Sequence, residues 1–285
     1  MRRRHLFPCA LALALACAAC EDNLTHPSTT ATPTEAGTTS PLSCVPNLDG
    51  VIESSEAQPT LGIAAHYLVN PSGTTRTVDV VGSTSSTGQL VWDWGTSYSN
   101  DEDVAIEASA VQGKWYATTF PNGQFATAFD AAHTLEAVYS QDDDGLYLQG
   151  LASTEQNPSE GQTLWAYDTP VRLYAFPLSP GTTWSATGNI KNGLVKGQPY
   201  SASDTYQGTD DATGQLILPD FTFTQAHRLR FVVTTTFSAG GAPQVNRQVS
   251  FLFECFGEVG RATSEPNETN DDFTTTVEQR RLSGQ

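Results

Sequence analysis

Lysine is almost missing from this chain: three Lys stand among 285 residues, and Lys and Arg together number 14 against 31 Asp and Glu, a formal net charge of -17. A phosphate backbone is held by clustered basic side chains, and these are spread thinly through the body, so nucleic acid is not an expected partner. No apolar run reaches the roughly 20 residues that a permanent membrane-spanning helix needs. H-E-x-x-H, G-x-S-x-G, a Walker loop and a glycine-rich dinucleotide fingerprint are all missing. His66, His133 and His227 lie far apart and lack metal-ligand spacing. No residue is therefore assigned a catalytic role, and no cofactor is implied apart from calcium. The balance points away from an enzyme, with a hydrolase of unreadable motif as an alternative. Long amphipathic helices are missing as well; residues 51–58 offer a short one.

What the chain does have begins at its start. Arg2, Arg3 and Arg4 precede an apolar run from Leu6 to Ala16 and a patch of small residues ending at Cys20. That is the layout of a secretory leader. Cys17 and Cys20 spell C-x-x-C, but a redox dithiol belongs beside a strand and a helix start in a folded domain. Cleavage after Ala18 would release a soluble protein beginning at Ala19. The run Ala16-Cys17-Ala18-Ala19-Cys20 resembles the lipobox of bacterial lipoproteins, with Cys17 where that family usually has Leu. The resemblance implies removal of residues 1–19, diacylation of Cys20 and a lipid anchor in the bacterial outer membrane, facing either the periplasm or the outside. Two acyl chains anchor stably where one does not. Residues 20–43 then form a tether, being rich in Thr, Ser and Pro and too poor in large apolar groups to fold. Loss of the leader removes three Arg and no acid, so the mature charge is 11 minus 31, or -20. Anionic lipid repels such a body, which stands clear of the surface.

Cys9 and Cys17 leave with the leader and Cys20 takes lipid. Of five cysteines, Cys44 and Cys255 remain as a pair in an oxidising compartment. One disulfide is expected between them; the alternative is two buried thiols.

From residue 44 to 285 the hydrophobic period is two far more often than 3.6. In RQVSFLFEC, Val245, Arg247, Val249, Phe251, Phe253 and Cys255 share one parity, which reads as a strand with that face in the core. HRLRFVVTTTF groups Leu229, Phe231, Val233 and Phe237 likewise, and the GAP at 241–243 makes the two runs a hairpin. Further strand-like runs are QLVWDW, KWYATTF, TLEAVYS, GLYLQGLA, QTLWAYD, TTWSATG and QLILPDFTF, separated by turn chemistry such as NPSG, PNG, DDDG and KNG. Antiparallel strands on tight turns manage their edges by curling toward a barrel or by stacking as two sheets. The order YDTPVRLYAFPLSPGTTW, QLILPDFTFTQAHRLR and FLFECFGEVGRATS is similar to secreted bacterial β-proteins of unassigned function and to lipoprotein carrier and sensor proteins, with Cys255 and Glu258 departing from the pattern. The resemblance implies a mainly β domain made of one antiparallel, strongly curved sheet or half-barrel, with a β-sandwich as the alternative. It implies no activity.

Three stretches offer chemistry. In PNLDGVIESSE, Asn47, Asp49, Glu53 and Glu56 fall at ligand places of an EF-hand loop and Gly50 at its turn, but Val45 occupies the first place and no helices flank it. Calcium competes there with a plain Asp-Gly turn. The acid runs SQDDDG and SNDEDV read as solvated turns, since paired carboxylates serve catalysis only in a desolvated cleft. Trp92 and Trp94 share a strand face, and with Trp115 they either line a pocket for an apolar ligand or fill the core, where large aromatics of β-proteins usually lie. The resulting expectation is a membrane-anchored envelope lipoprotein with a non-catalytic role, binding a hydrophobic ligand or an envelope protein. A purely structural surface protein is the alternative.

Overall fold

The computed structural model describes residues 44–284. The leader over 1–19, the lipidation site Cys20 and the tether over 20–43 lie outside the described residues. The period of two becomes sixteen strands, and the described residues contain no helix beyond two short 3-10 turns, Ser54–Glu56 and Ala117–Thr119. In chain order the first strands are β1 (Ala64–Val69), β2 (Arg76–Thr77), β3 (Ser83–Thr84), β4 (Leu90–Asp93), β5 (Glu102–Glu107), β6 (Ser109–Ala110), β7 (Phe125–Ala128) and β8 (Leu135–Gln141). They continue as β9 (Gly145–Ser153), β10 (Leu164–Ala175), β11 (Thr183–Val195), β12 (Gln198–Ile217), β13 (Thr222–Phe237), β14 (Gln244–Phe253), β15 (Gly257–Ser264) and β16 (Thr275–Ser283).

Thirteen of these form one antiparallel path, β5-β1-β16-β15-β14-β13-β12-β11-β10-β9-β8-β7-β6. Its two end strands are separated along the chain by Ala108 alone, so the sheet curls nearly into a barrel. Curling this far leaves little free edge, which is how one large sheet avoids pairing with strangers. The curved sheet expected from the turn-strand grammar therefore forms, and the two-sheet sandwich does not. The longest strand, β12, outruns β11: their pairing ends at Thr183 with Thr209, and β4 takes the remaining edge in parallel from Gln215 to Ile217.

A second layer covers the outside of the sheet. Residues 76–101 return over it and bury Trp92 and Trp94 on Phe251, with ring centroids 4.7 and 5.0 Å apart. Leu216, Val249, Val259 and Ala262 of the sheet meet Val78, Val80 and Phe273 in the same cluster. Arginines fasten this flap. Arg228 donates to the carbonyls of Val80 and Val81 at 2.8 and 3.0 Å. Arg281 donates to the Trp94 carbonyl at 3.0 Å and to that of Thr96. Asp101 sits between Arg76 at 2.6 Å and Arg281 at 2.5 Å.

The flap corrects the expectation for RQVSFLFEC: every residue from Val249 to Phe253 is buried, on both faces, because the odd positions pack under the flap and the even ones face the barrel interior. KWYATTF is not a strand but a run of tight turns around Ala117–Thr119. Its backbone bonds step three residues at a time, Lys114 to Val111, Ala117 to Lys114 and Phe120 to Ala117. QLILPDFTF is two strand ends around a turn, closed by Leu218 N–H to the Phe221 carbonyl at 2.8 Å, as Pro219 and Asp220 favour.

Cys44 and Cys255 form the expected disulfide, with Cα atoms 5.4 Å apart. It ties down a strap over 44–57. Glu254, itself buried, accepts the N–H groups of Asn47 and Leu48 at 2.6 and 2.8 Å. Ile52 bridges Leu178 and is fully buried with Trp184, Leu229 and Leu252. Ser54 bonds the Asp142 carbonyl and Gln141, so the strap reaches across to the β8–β9 turn.

Candidate functional site

The interior of the curled sheet is hollow. A cavity of about 650 Å³ runs between strands from almost the whole circuit, a volume within the range of small-molecule sites, roughly 300–1,000 Å³. Its lining is mixed. Ile106, Phe125, Leu146, Leu148, Leu173, Phe231 and Val233 are apolar, with the hydroxyls of Thr127, Tyr139, Tyr174 and Tyr206 among them, while Tyr67, Gln248, Glu258, Arg261 and Arg280 gather polar groups on the neighbouring strands β14, β15, β16 and β1.

Strict alternation would not place Glu258 and Arg261 on one face, since they are three residues apart. A bulge does. Phe251 pairs with Gly260 and Leu252 with Glu258, so Val259 is the extra residue and both Val259 and Gly260 turn to the outer layer. Arg261 then holds Glu258 through Nε at 3.1 Å and Nη2 at 3.0 Å. Ser250 donates to the same carboxylate at 2.9 Å, Gln248 supports Ser250 at 2.8 Å, and the Tyr67 hydroxyl donates to the Glu258 carbonyl at 2.7 Å. Burial opposes the charge of Arg261, but Glu258 and Glu278 more than offset it and hold its pKa above the usual value. Burial pushes the phenols of Tyr67, Tyr139, Tyr174 and Tyr206 up. These hydroxyls therefore stay protonated across the ordinary pH range.

Ile63, Phe129 and Phe256 also line the cavity and are 65%, 46% and 50% exposed, three of the few large apolar side chains that the surface of the described residues leaves open.

The structure places the expected site residues elsewhere. Trp92, Trp94 and Trp115 do not line the cavity: the first two lie on the inner side of the flap against Phe251, and Trp115 bonds the Ser153 carbonyl at 3.0 Å and packs edge-on to Tyr116. The pocket reading of these tryptophans is corrected to the core reading for Trp92 and Trp94. The calcium set is likewise turned inward on its own backbone. Asn47 and Asp49 oxygens accept the N–H groups of Asp49 and Val51 at 2.8 and 2.9 Å, and Glu53 and Glu56 form a capping box. Among the described residues no group of three or more His, Cys, Asp or Glu converges as a metal site. In SQDDDG, Asp142 makes the hairpin turn by accepting from Asp144 and Gly145. SNDEDV differs from its reading as a solvated turn, because Asp101 is buried between two arginines.

One further pair could suggest catalysis. His227 Nδ1 meets Asp210 Oδ2 at 2.8 Å, both side chains almost fully buried, and burial pushes the Asp210 carboxyl up. A hydrolytic triad needs a nucleophile on the other imidazole nitrogen. Nε2 of His227 has no hydrogen-bond partner among the described residues, and neither does Asp210 Oδ1. The pair is thus a buried hydrogen bond with no attacking hydroxyl attached. Comparison of the chain with protein-family models, curated proteins and solved structures finds no match in any of the three.

Proposed function

We propose that this chain is a lipid-anchored envelope protein that holds one amphipathic molecule inside its curled sheet, without carrying out chemistry on it. The observation that supports this reading is the mixed lining of the cavity. Apolar side chains beside a charged, hydrogen-bonding cluster suit a hydrocarbon tail joined to a polar head, because each part then loses its water against a matching surface. Ile63, Phe129 and Phe256, exposed and lining the same cavity, would give the tail a route in. Anchoring through Cys20 on the tether 20–43 would keep the opening within reach of a lipid surface, while the acidic body stands off the headgroups.

Mass spectrometry of the protein purified from the membranes of a Gram-negative host reads both halves of the proposal. A diacylglyceryl mass on Cys20 and a single-tailed amphiphile released by organic extraction are the expected results. An N-terminus at Ala19 without lipid removes the anchor, and an extract with no amphiphile at a stoichiometric level counts against the carrier role.

A further inference from the structure

Arg261 and Arg280 are direct cross-strand partners on β15 and β16, and both line the cavity. Like charges placed directly opposite each other destabilise a sheet, and this chain has few cations to place. The pair is held in position by separate carboxylates. Arg261 gives Nε and Nη2 to Glu258. Arg280 gives Nε to Glu278 at 2.8 Å, and Nη2 to Glu278 and the Phe129 carbonyl at 3.1 and 2.9 Å. In each guanidinium the Nη1 donors are the ones not committed to these carboxylates. Two opposed forks, each with one end pinned and one end free, match the oxygens of a single acidic group, for which charge-assisted bonds to Arg are short and strong.

We infer that Arg261 and Arg280 form the head-group site of the cavity and that its occupant carries an acidic head, a carboxylate or a phosphate monoester, on a hydrocarbon tail. The inference rests on the reading of the cavity as an amphiphile site. Glu258 and Glu278 are positioning residues here: they fix the two forks. A cationic head would meet two guanidinium groups, and a neutral hydroxyl would leave most of their donors unused.

The test is displacement of a neutral naphthylamine dye from the purified full-length mature chain by dodecanoic acid, dodecyl phosphate, dodecanol and dodecyltrimethylammonium. At least one acid is expected to bind about tenfold or more tighter than dodecanol, the worth of one or two charge-assisted bonds. The ammonium should be the weakest. The order of the two acids identifies the head. Replacing the pair together, Glu258→Gln with Arg261→Gln, leaves no lone buried charge and should erase most of the advantage of the acid over dodecanol, both measured in the same variant. Arg280→Lys keeps the charge but not the fork, and should retain part of it. Dodecanol or the ammonium binding as tightly as both acids overturns the head-group site and leaves the cavity reading standing. Failure of the dye and of all four amphiphiles to bind, checked by calorimetry, overturns both.

Discussion

Replacing Asp101 by Ala is expected to cost the domain about 3–5 kcal/mol, the range found when one partner of a buried ion pair is removed. Asp101 is 5% exposed and its two carboxylate oxygens are divided between Arg76, 6% exposed, and Arg281, fully buried. Removing it leaves two guanidinium groups near Tyr98, at 3.8 and 5.1 Å from the ring centroid, without the carboxylate that they share. Burial already lowers the pKa of Arg281, with Asp101 the main opposing influence. The loss spreads, because Arg281 also holds the Trp94 carbonyl, and Trp94 packs on Phe251 in the outer layer. For a domain of this size a loss of 3–5 kcal/mol lowers the midpoint of thermal unfolding by roughly 6–20 °C. Circular dichroism melts of the two proteins measure it. Breaking the solvent-facing pair of Lys191 and Asp168 by Lys191→Ala, which leaves the bonds from Asn189 to Asp168 in place, is the control and should barely move the melt. Equal melting of Asp101→Ala and the parent would mean that the flap is not held by this cluster.

Removing the disulfide is expected to have an effect of similar size. The Cys44–Cys255 bond closes a loop spanning 211 residues, and in the chain-entropy model such a crosslink restricts the unfolded chain by roughly 5 kcal/mol. The folded side matters too. The bond sits beside Glu254, whose carboxylate carries the N–H groups of Asn47 and Leu48, and Cys255 N–H bonds the Glu56 carbonyl at 2.8 Å. Losing the bond therefore frees the strap at its first residue and exposes Ile52 and its cluster to fraying. The variant with both Cys44→Ser and Cys255→Ser should unfold at a lower denaturant midpoint, and wild type treated with reductant should fall to the same value. A midpoint insensitive to both changes would show that the strap holds without its crosslink.

Local pattern carried much of this fold. Alternation marked β4, β8 to β11, β13 and β14 but only the last three residues of β12, the Gly-rich link at 240–243 marked a hairpin, and subtraction of the leader cysteines left Cys44 and Cys255 to pair. Parity correctly put Trp92 and Trp94 on one face, yet the period of two names a face without saying what covers it. Here the cover is the outer face of the sheet at Phe251, and the contact that pins the flap to it, Asp101 to Arg281, joins residues 180 apart. Such a contact has no local signature. The polar cluster was hidden for a related reason: only the bulge at Val259 brings Glu258 and Arg261 to one face, and a single extra residue reverses every side-chain assignment beyond it. The thin spread of arginines along the chain spoke against a phosphate-binding cluster but not about burial, and Arg228, Arg280 and Arg281 are largely buried.

Saturable uptake of a neutral naphthylamine dye, measured by its fluorescence in the parent chain and in Ala65→Trp, tests the hollow-sheet account most directly. Ala65 lines the cavity beside its cross-strand partner Ile106, so an indole there projects bulk into the space that the dye would use. The account predicts one site per chain in the parent and no saturable site in the variant, with both proteins folded. No uptake by the parent, or the same uptake by both, would contradict it.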